Sequence, residues 1–395
     1  MDPIQNPYAP GAGTPPPSLM GRDQLLRQAD ILFARTLAKK PEKSIIMTGL
    51  RGVGKTVLLN KMEQMAMERG YRCISIECTV GKSLSETLTP QLRRYLFELD
   101  RMEGVKEKVK QGLMTLRSFM NGLKLSFSEI SLEICPLQGI ADTGDITLDL
   151  PELFIALAEA AAEKKTGLAI FIDEVQSIPP AELGALIMSM HKMQQKQLPL
   201  VLVSAGLPTL PRLAGEAKSY AERLFDFQQV GALSLQDAKE ALLVPAQQEG
   251  VQIDDAALNR ICQHAQGYPY FLQVWGYQTW NNAKSSPIGV HDIEQSELDV
   301  LKHLDSNFFL VRYDRLSDSE KRFMRAMAQY PQGQCKSSDL QKELGIKSTS
   351  LTPTRAKLVN KGMVYSPRHG VLDYSVPMFG DFMRRVMPND DWRQR

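Results

Sequence analysis

The chain has 395 residues, too many for one ordinary hydrophobic core, so two or three domains are expected. Hydrophobic residues make up 43% and charged residues 23%; no stretch approaches the ~18 apolar residues of a membrane span and the first thirty lack the parts of a secretory signal, which points to a soluble, cytoplasmic protein. The net charge of +2 hides an asymmetry: residues 317–395 hold 14 Lys and Arg against 8 Asp and Glu, an excess of +6 set against −4 elsewhere, and this suggests a polyanionic partner for the C-terminal part.

Residues 1–21 are dense in Pro and Gly and read as an extended, unpacked arm. From Gly21 and Arg22 the pattern turns helical, with Leu25, Leu26, Ile31, Leu32 and Leu37 on one face. An apolar strand, 44–48, then runs into Gly49-Leu50-Arg51-Gly52-Val53-Gly54-Lys55-Thr56, which fits G-x-x-x-x-G-K-[ST], with helical spacing from Val57 onward. Glycines let backbone N–H groups curl around an anion, the following helix adds the positive end of its dipole, Lys55 reaches the β- and γ-phosphates, and the Thr56 hydroxyl serves Mg²⁺. ATP with magnesium is therefore the expected ligand of residues 49–57.

A second strand, 72–77, is followed by an apparent insertion, 84–148. Residues 84–122 of it read as helical, 123–134 alternate as strands do, and an acidic loop from 141 leads toward a helix. The apolar strand 167–174 ends in Asp173 and Glu174. Asp173 has the position of a magnesium-holding carboxylate and Glu174 that of the group activating the attacking water; the plain alternative is a strand that ends in an acidic turn. A third apolar strand ends near Ser204, which either meets the γ-phosphate or satisfies a local backbone group. Arg223 precedes the short strand 225–230, placed for presentation to a neighbouring subunit's nucleotide or for pairing with Glu222. Strands alternating with helices argue for a parallel sheet between two helical layers, with ligands at the strands' carboxyl ends.

Beyond Gly231 only helices are expected, at 235–243, 255–265, 270–283 and 292–304. Residues 317–387 read as three helices, near 318–329, 337–344 and 353–361, and then a ribbon. In the last of these helices Thr352 is the expected N-cap and Pro353 fits the first turn. Ala356 and Val359 face the core, while Lys347, Arg355, Lys357, Lys361 and, in the ribbon's turn, Arg368 are candidate contacts to double-stranded DNA. The five cysteines form no C-x-x-C pair and are expected as buried, reduced thiols.

The segments GLRGVGKT, AIFIDE, VLVSAG and AERLF, in that order and followed by helices, resemble an AAA+ ATPase of the archaeal and eukaryotic origin-recognition type, close to the signal-transducing STAND ATPases. The resemblance implies an α/β P-loop core over 22–231, a helical lid and linker over 232–310, and a winged helix-turn-helix over 317–387. PPPSLMGRD is similar to the family's N-terminal linker, which implies Gly21 and Arg22 near the adenine. Initiators of this type carry a phosphate-sensing arginine in the lid where this chain has Tyr270. Gly267-Tyr268-Pro269 is closer to the STAND pattern, which implies Pro269 beside the nucleotide and hydrolysis that depends on Arg223 supplied by another copy. Two further readings stay open: a signalling or defence regulator whose insertion binds a protein partner, and a nucleotide-binding scaffold with negligible turnover.

Overall fold

The computed structural model describes residues 1–11, 13–125, 135–330, 334–346, 348–368, 370–389 and 392. The chain divides into two compact units, one made of residues 24–48 and 58–229, the other of 1–23, 49–57 and 230–395.

The first unit is built on five strands, β1 (Ser44–Thr48), β2 (Tyr71–Glu77), β3 (Gly167–Asp173), β4 (Leu200–Gly206) and β5 (Phe225–Gln229), all parallel in the order β2-β3-β4-β1-β5. The three central strands are apolar runs because both faces are covered: every residue of β1 and β4 is buried, as are Leu168, Ile170 and Ile172 of β3. Around them lie α1 (Asp23–Leu37), α2 (Lys55–Glu68), α3 (Leu84–Arg101), α4 (Glu107–Gly122), α5 (Ile146–Glu163), α6 (Pro180–Lys196), α7 (Leu210–Ala217) and α8 (Ala221–Leu224). The parallel three-layer architecture read from the sequence is present. In α1 the buried face is Ala29, Leu32 and Phe33, whereas Ile31, expected inward, is exposed.

The inserted helices are part of the core. A Ser83–Glu86 capping box starts α3, and Leu88, Leu92, Leu96 and Leu99 at helical spacing bury one side of it with Leu116 and Phe119 of α4 and Phe154 and Leu157 of α5. The alternating stretch after 122 lies mostly outside the described residues. The acidic loop is shorter than expected: Asp145 caps α5 and accepts from the Thr147 amide at 2.8 Å, so the helix begins at Ile146. Buried Asp149 accepts from the Thr143 and Gly144 amides at 3.2 and 2.9 Å and closes the turn before the helix. Among the described residues no helix is long and apolar enough to cross a membrane.

The second unit contains α9 (Leu235–Gln248), α10 (Asp255–Ala265), α11 (Pro269–Asn282), α12 (Val290–Leu304), a π-helical turn at Asp305–Phe309 and α13 (Leu310–Tyr313). The N-terminal residues are packed, contrary to the reading of a free arm. Tyr8 is buried with its hydroxyl donating to Leu242 O at 2.6 Å, Trp280 Nε1 donates to Asp2 O at 2.9 Å, and Asn6 Nδ2 reaches Tyr277 O at 3.0 Å. Proline and glycine favour the extended path, but Tyr8 supplies apolar area, and Gly276 leaves its ring room: a Cβ there would lie 2.7 Å from it.

Residues 318–386 fold as α14 (Asp318–Met327), β6 (Cys335–Lys336), α15 (Ser337–Leu344), α16 (Ser348–Asn360), β7 (Val364–Tyr365), β8 (Val371–Tyr374) and α17 (Phe379–Val386), with β8 antiparallel between β6 and β7. Helix α16 begins at Ser348, so Thr352 is not its cap and Pro353 lies inside it. Leu351 and Leu358, seven residues apart, are the buried anchors; Ala356 is exposed and Val359 half-buried. Of the cysteines, Cys78, Cys262 and Cys335 are buried as expected, Cys73 is half-buried, and Cys135 is exposed, against expectation.

Lys361 is exposed, as expected of a solvent-facing cation, and it is also tied to the C-terminal scaffold. Its Nζ lies 2.7 Å from Oε2 of Glu320, whose side chain is 2% exposed, and 2.8 Å from Arg315 O. Burial pushes the Glu320 carboxyl up, but the bond and charge of Lys361 and the Ser317 amide hold it below its usual value. A depressed carboxyl contributes stability that is complete above ~4.3 and is lost as pH falls through the folded value. Lys361→Ala is expected to cost about 1–3 kcal/mol in urea unfolding at neutral pH, the partly exposed lysine keeping the loss modest. The deficit should shrink in acid, where a protonated Glu320 no longer requires the cation.

Candidate nucleotide site

The buried strand β1 delivers the chain to Gly49 and α2 receives it at Lys55, so the intervening turn must be tight. Gly54 makes it with φ of +90°, a conformation L side chains rarely adopt, and at Gly49 a Cβ would stand 2.2 Å from Val230 O. Both positions therefore require glycine for reasons of backbone, as an anion-binding loop does. Lys55 is buried, and its ammonium donates to Gly49 O at 2.9 Å and Leu50 O at 2.8 Å, folding over the loop that it follows. Thr56, in the first turn of α2, is exposed, and Leu50, Arg51, Gly52 and Val57 are half-buried around the buried Val53. Amides at the start of a helix, with a lysine anchored among them, suit an anion.

Other segments of the same unit converge on this loop. Arg22 Nη2 donates to Gly231 O at 2.6 Å and to Val53 O at 3.5 Å, and burial pulls its pKa down against the charge of Asp237. Gly21, at φ of +67°, has Asp237 so close that a Cβ would lie 2.6 Å from its carboxylate. Pro269 opens α11, and the next residue, Tyr270, donates its amide to Gly52 O at 3.3 Å while its ring stacks on Phe308 at 4.8 Å. Arg22 is thus bonded to Val53 of the loop, and Gly21 and Pro269 are the chain neighbours of Arg22 and Tyr270, which bond to it. Two contributors have no signal in the sequence. The Arg51 amide donates to Ser375 O at 3.0 Å, just past β8, and Gly13 lies against Thr56, whose methyl would be 3.3 Å from a Cβ there.

The carboxylates belong to the other unit. Asp173 ends β3, beside Glu77 of β2, and Ser204 of β4 is in register with Ile172. Glu174 follows in a left-handed conformation, φ 53° and ψ 39°, its amide donating to Asp173 Oδ1 at 2.8 Å. Ser204 is buried and its hydroxyl has no hydrogen-bond partner, so the local-backbone alternative for it does not apply; such an oxygen suits a ligand or bound water. The Cys78 thiol is pushed up to about 12, first by burial and then by the carboxylates of Glu182, Asp173, Glu77 and Glu174. This concentration of negative charge fits a hard cation. Among the described residues no cluster of three His, Cys, Asp or Glu could hold a metal ion.

Arg223 is exposed on α8, before the amino end of β5, where Phe225 pairs with Ser44. It therefore lies at the edge of the sheet opposite Asp173 and Ser204 and is not brought together with them. Of the expected DNA contacts, Lys357, Lys361 and Arg368 are exposed. Arg355 is half-buried and its Nη2 donates to Ser366 Oγ at 2.9 Å, tying α16 to the ribbon, and Lys361 is held by Glu320. Lys347 lies outside the described residues.

Comparison with known proteins places this geometry. Residues 18–203 match the AAA ATPase domain. The fold is that of an AAA+ P-loop ATPase. It is similar to the Walker-type ATPase PABY2304 of Pyrococcus abyssi, with 16% identity, a TM-score of 0.57, and coverage of 93% of this chain and 96% of that one. It is also similar to the ORC2 protein of Aeropyrum pernix, solved as ADPNP and ADP complexes, with 14% identity, a TM-score of 0.55, and coverage of 98% and 97%. At these identities the likeness is one of fold. Residues 306–383 match a family described as a domain of unknown function (DUF8462), and no curated protein matches the sequence.

If residues 49–57 hold phosphates, Mg·ATP stabilises the folded chain by mass action, by about 2.7 kcal/mol at a hundred times Kd. Lys55→Ala is expected to abolish the corresponding rise in Tm while leaving the Tm without nucleotide within a few degrees. An unchanged ligand shift in the variant would contradict the assignment.

Proposed function

We propose that the chain is an ATP-binding and ATP-hydrolysing AAA+ switch. The observation that carries this reading is the loop itself: left-handed glycines between a buried strand and a helix, with Lys55 anchored over them and Arg22 and Tyr270 bonded to its carbonyls. In this reading residues 49–57 bind the phosphates, Gly21, Arg22 and Pro269 flank the base, and Thr56 and Asp173 would hold magnesium. Bound there, the metal would supply neutralisation of the phosphate charge. Glu174 orients and deprotonates the attacking water, and the Ser204 hydroxyl fixes that water or the γ-phosphate. Arg223, on the opposite sheet edge, acts on the nucleotide of a second copy, which makes turnover slow in the isolated chain and dependent on assembly.

The partner we propose for residues 317–387, read as a winged helix-turn-helix, is double-stranded DNA. The +6 charge excess of residues 317–395 and the exposed Lys357 and Arg368 support it. A second reading, a signalling regulator, is favoured by the Arg51 to Ser375 bond, which lets the C-terminal segment sense the loop directly, with a protein partner for the inserted helices.

Glu174→Gln is expected to keep ATP affinity and lose about 10²–10⁴-fold in turnover, measured by phosphate release. Titration of a random duplex with ATP, ADP or neither should show binding that weakens with salt. The double variant Lys357→Ala, Arg368→Ala should reduce the salt slope by about 2. Absence of duplex binding in all three nucleotide states would favour the signalling reading.

A further inference from the structure

We propose that Gln176 is a positioning residue for hydrolysis, clamping Glu174 to the end of the strand that carries Ser204. The proposal rests on the reading of Glu174 as the water activator. Gln176 lies in the single 3₁₀ turn Val175–Ser177 that follows Glu174. Its carboxamide is engaged at both ends. Nε2 donates to Glu174 Oε2, and Oε1 accepts the amide of Leu207, the residue just past β4, at 2.9 Å. Swapping the amide's two ends would set oxygen against carboxylate and NH₂ against N–H, so these two partners fix its orientation.

The end of β4 is shaped for this side chain. At Gly206 a Cβ would lie 2.2 Å from Gln176 Oε1, so any larger residue there displaces the carboxamide. Two residues earlier on the same strand, Ser204 presents its buried, unpartnered hydroxyl. Glu174 itself sits at a left-handed φ of 53°, a conformation that a non-glycine residue keeps only when its surroundings impose it. Its amide is bonded to Asp173, its carbonyl accepts from the Ser177 amide at 2.8 Å, and its carboxylate is bonded to Gln176. A displacement of about 1 Å at a reacting group can cost on the order of a hundredfold in rate. The bridge Glu174–Gln176–Leu207 therefore fixes the activating group relative to Ser204. Shifts of the β4 end are transmitted to it.

Gln176→Leu keeps the shape of the side chain and removes both hydrogen bonds. It should lower kcat for ATP about ten- to a hundredfold with KM unchanged, and should add nothing in the Glu174→Gln background, as expected for two residues acting through one group. Gly206→Ala, which leaves Gln176 in place and displaces its carboxamide, should show the same split; circular dichroism and Tm report folding of each variant. Wild-type kcat in Gln176→Leu beside a slow Glu174→Gln would overturn this proposal alone. An equal further loss in the Glu174→Gln background would also overturn it, since Gln176 would then act elsewhere. Wild-type turnover by Glu174→Gln would overturn the assignment of Glu174 on which the proposal stands.

Discussion

Between Thr48 and Lys55 the chain leaves a strand buried on both faces and enters a helix within six residues, with Gly52 and Gly54 at φ of 83° and 90°. That backbone constraint governs the rest. A strand with both faces covered cannot bend before Thr48, and a helix beginning at Lys55 must leave its first amides without intrahelical partners. Glycine resolves both demands by allowing the turn and by keeping side chains away from those amides. An anion is the natural complement, because it satisfies several donors at once and is favoured by the helix dipole.

The loop is also where separate parts of one unit meet. Arg22 from the N-terminal segment, Tyr270 from the start of α11 and Ser375 from beyond β8 each bond to its backbone, and Gly13 packs on Thr56. Each bond is worth only about 1 kcal/mol net, so no single one fixes the loop. Together they make its conformation depend on three segments distant in sequence. A ligand that rearranged the loop would act on all three.

Much of this was readable in the sequence, and the failures have definite causes. Strands β1, β3 and β4 announce themselves because burial on both faces requires unbroken apolar runs, and the phosphate loop because its glycines and lysine have fixed jobs. Gly21, Arg22 and Pro269 come from family resemblance; of the three the structure bonds Arg22 to the loop, and Pro269 precedes Tyr270, which also bonds to it. Tyr8 was hidden in a Pro- and Gly-rich segment, where composition argues for an unpacked chain and a single aromatic decides otherwise. Lys361 is the exposed cation that the sequence suggests, but its ion pair has no local signal, because the partner, Glu320, is 41 residues away and belongs to another helix's capping box. Thr352-Pro353 looked like a helix start because proline favours the first turn; the buried pair Leu351 and Leu358 extends α16 back past it. Gln176 gave no signal, since its role depends on the approach of β4 to the turn after β3.

The central claim is that residues 49–57 bind through the phosphates of a nucleotide. Isothermal titration of the full chain with ATP, ADP and adenosine, each in magnesium, tests it most directly. The account predicts saturable binding of ATP and ADP and at least a hundredfold weaker binding of adenosine. Adenosine binding as tightly as ATP, or no binding of ATP at millimolar concentration, would contradict it.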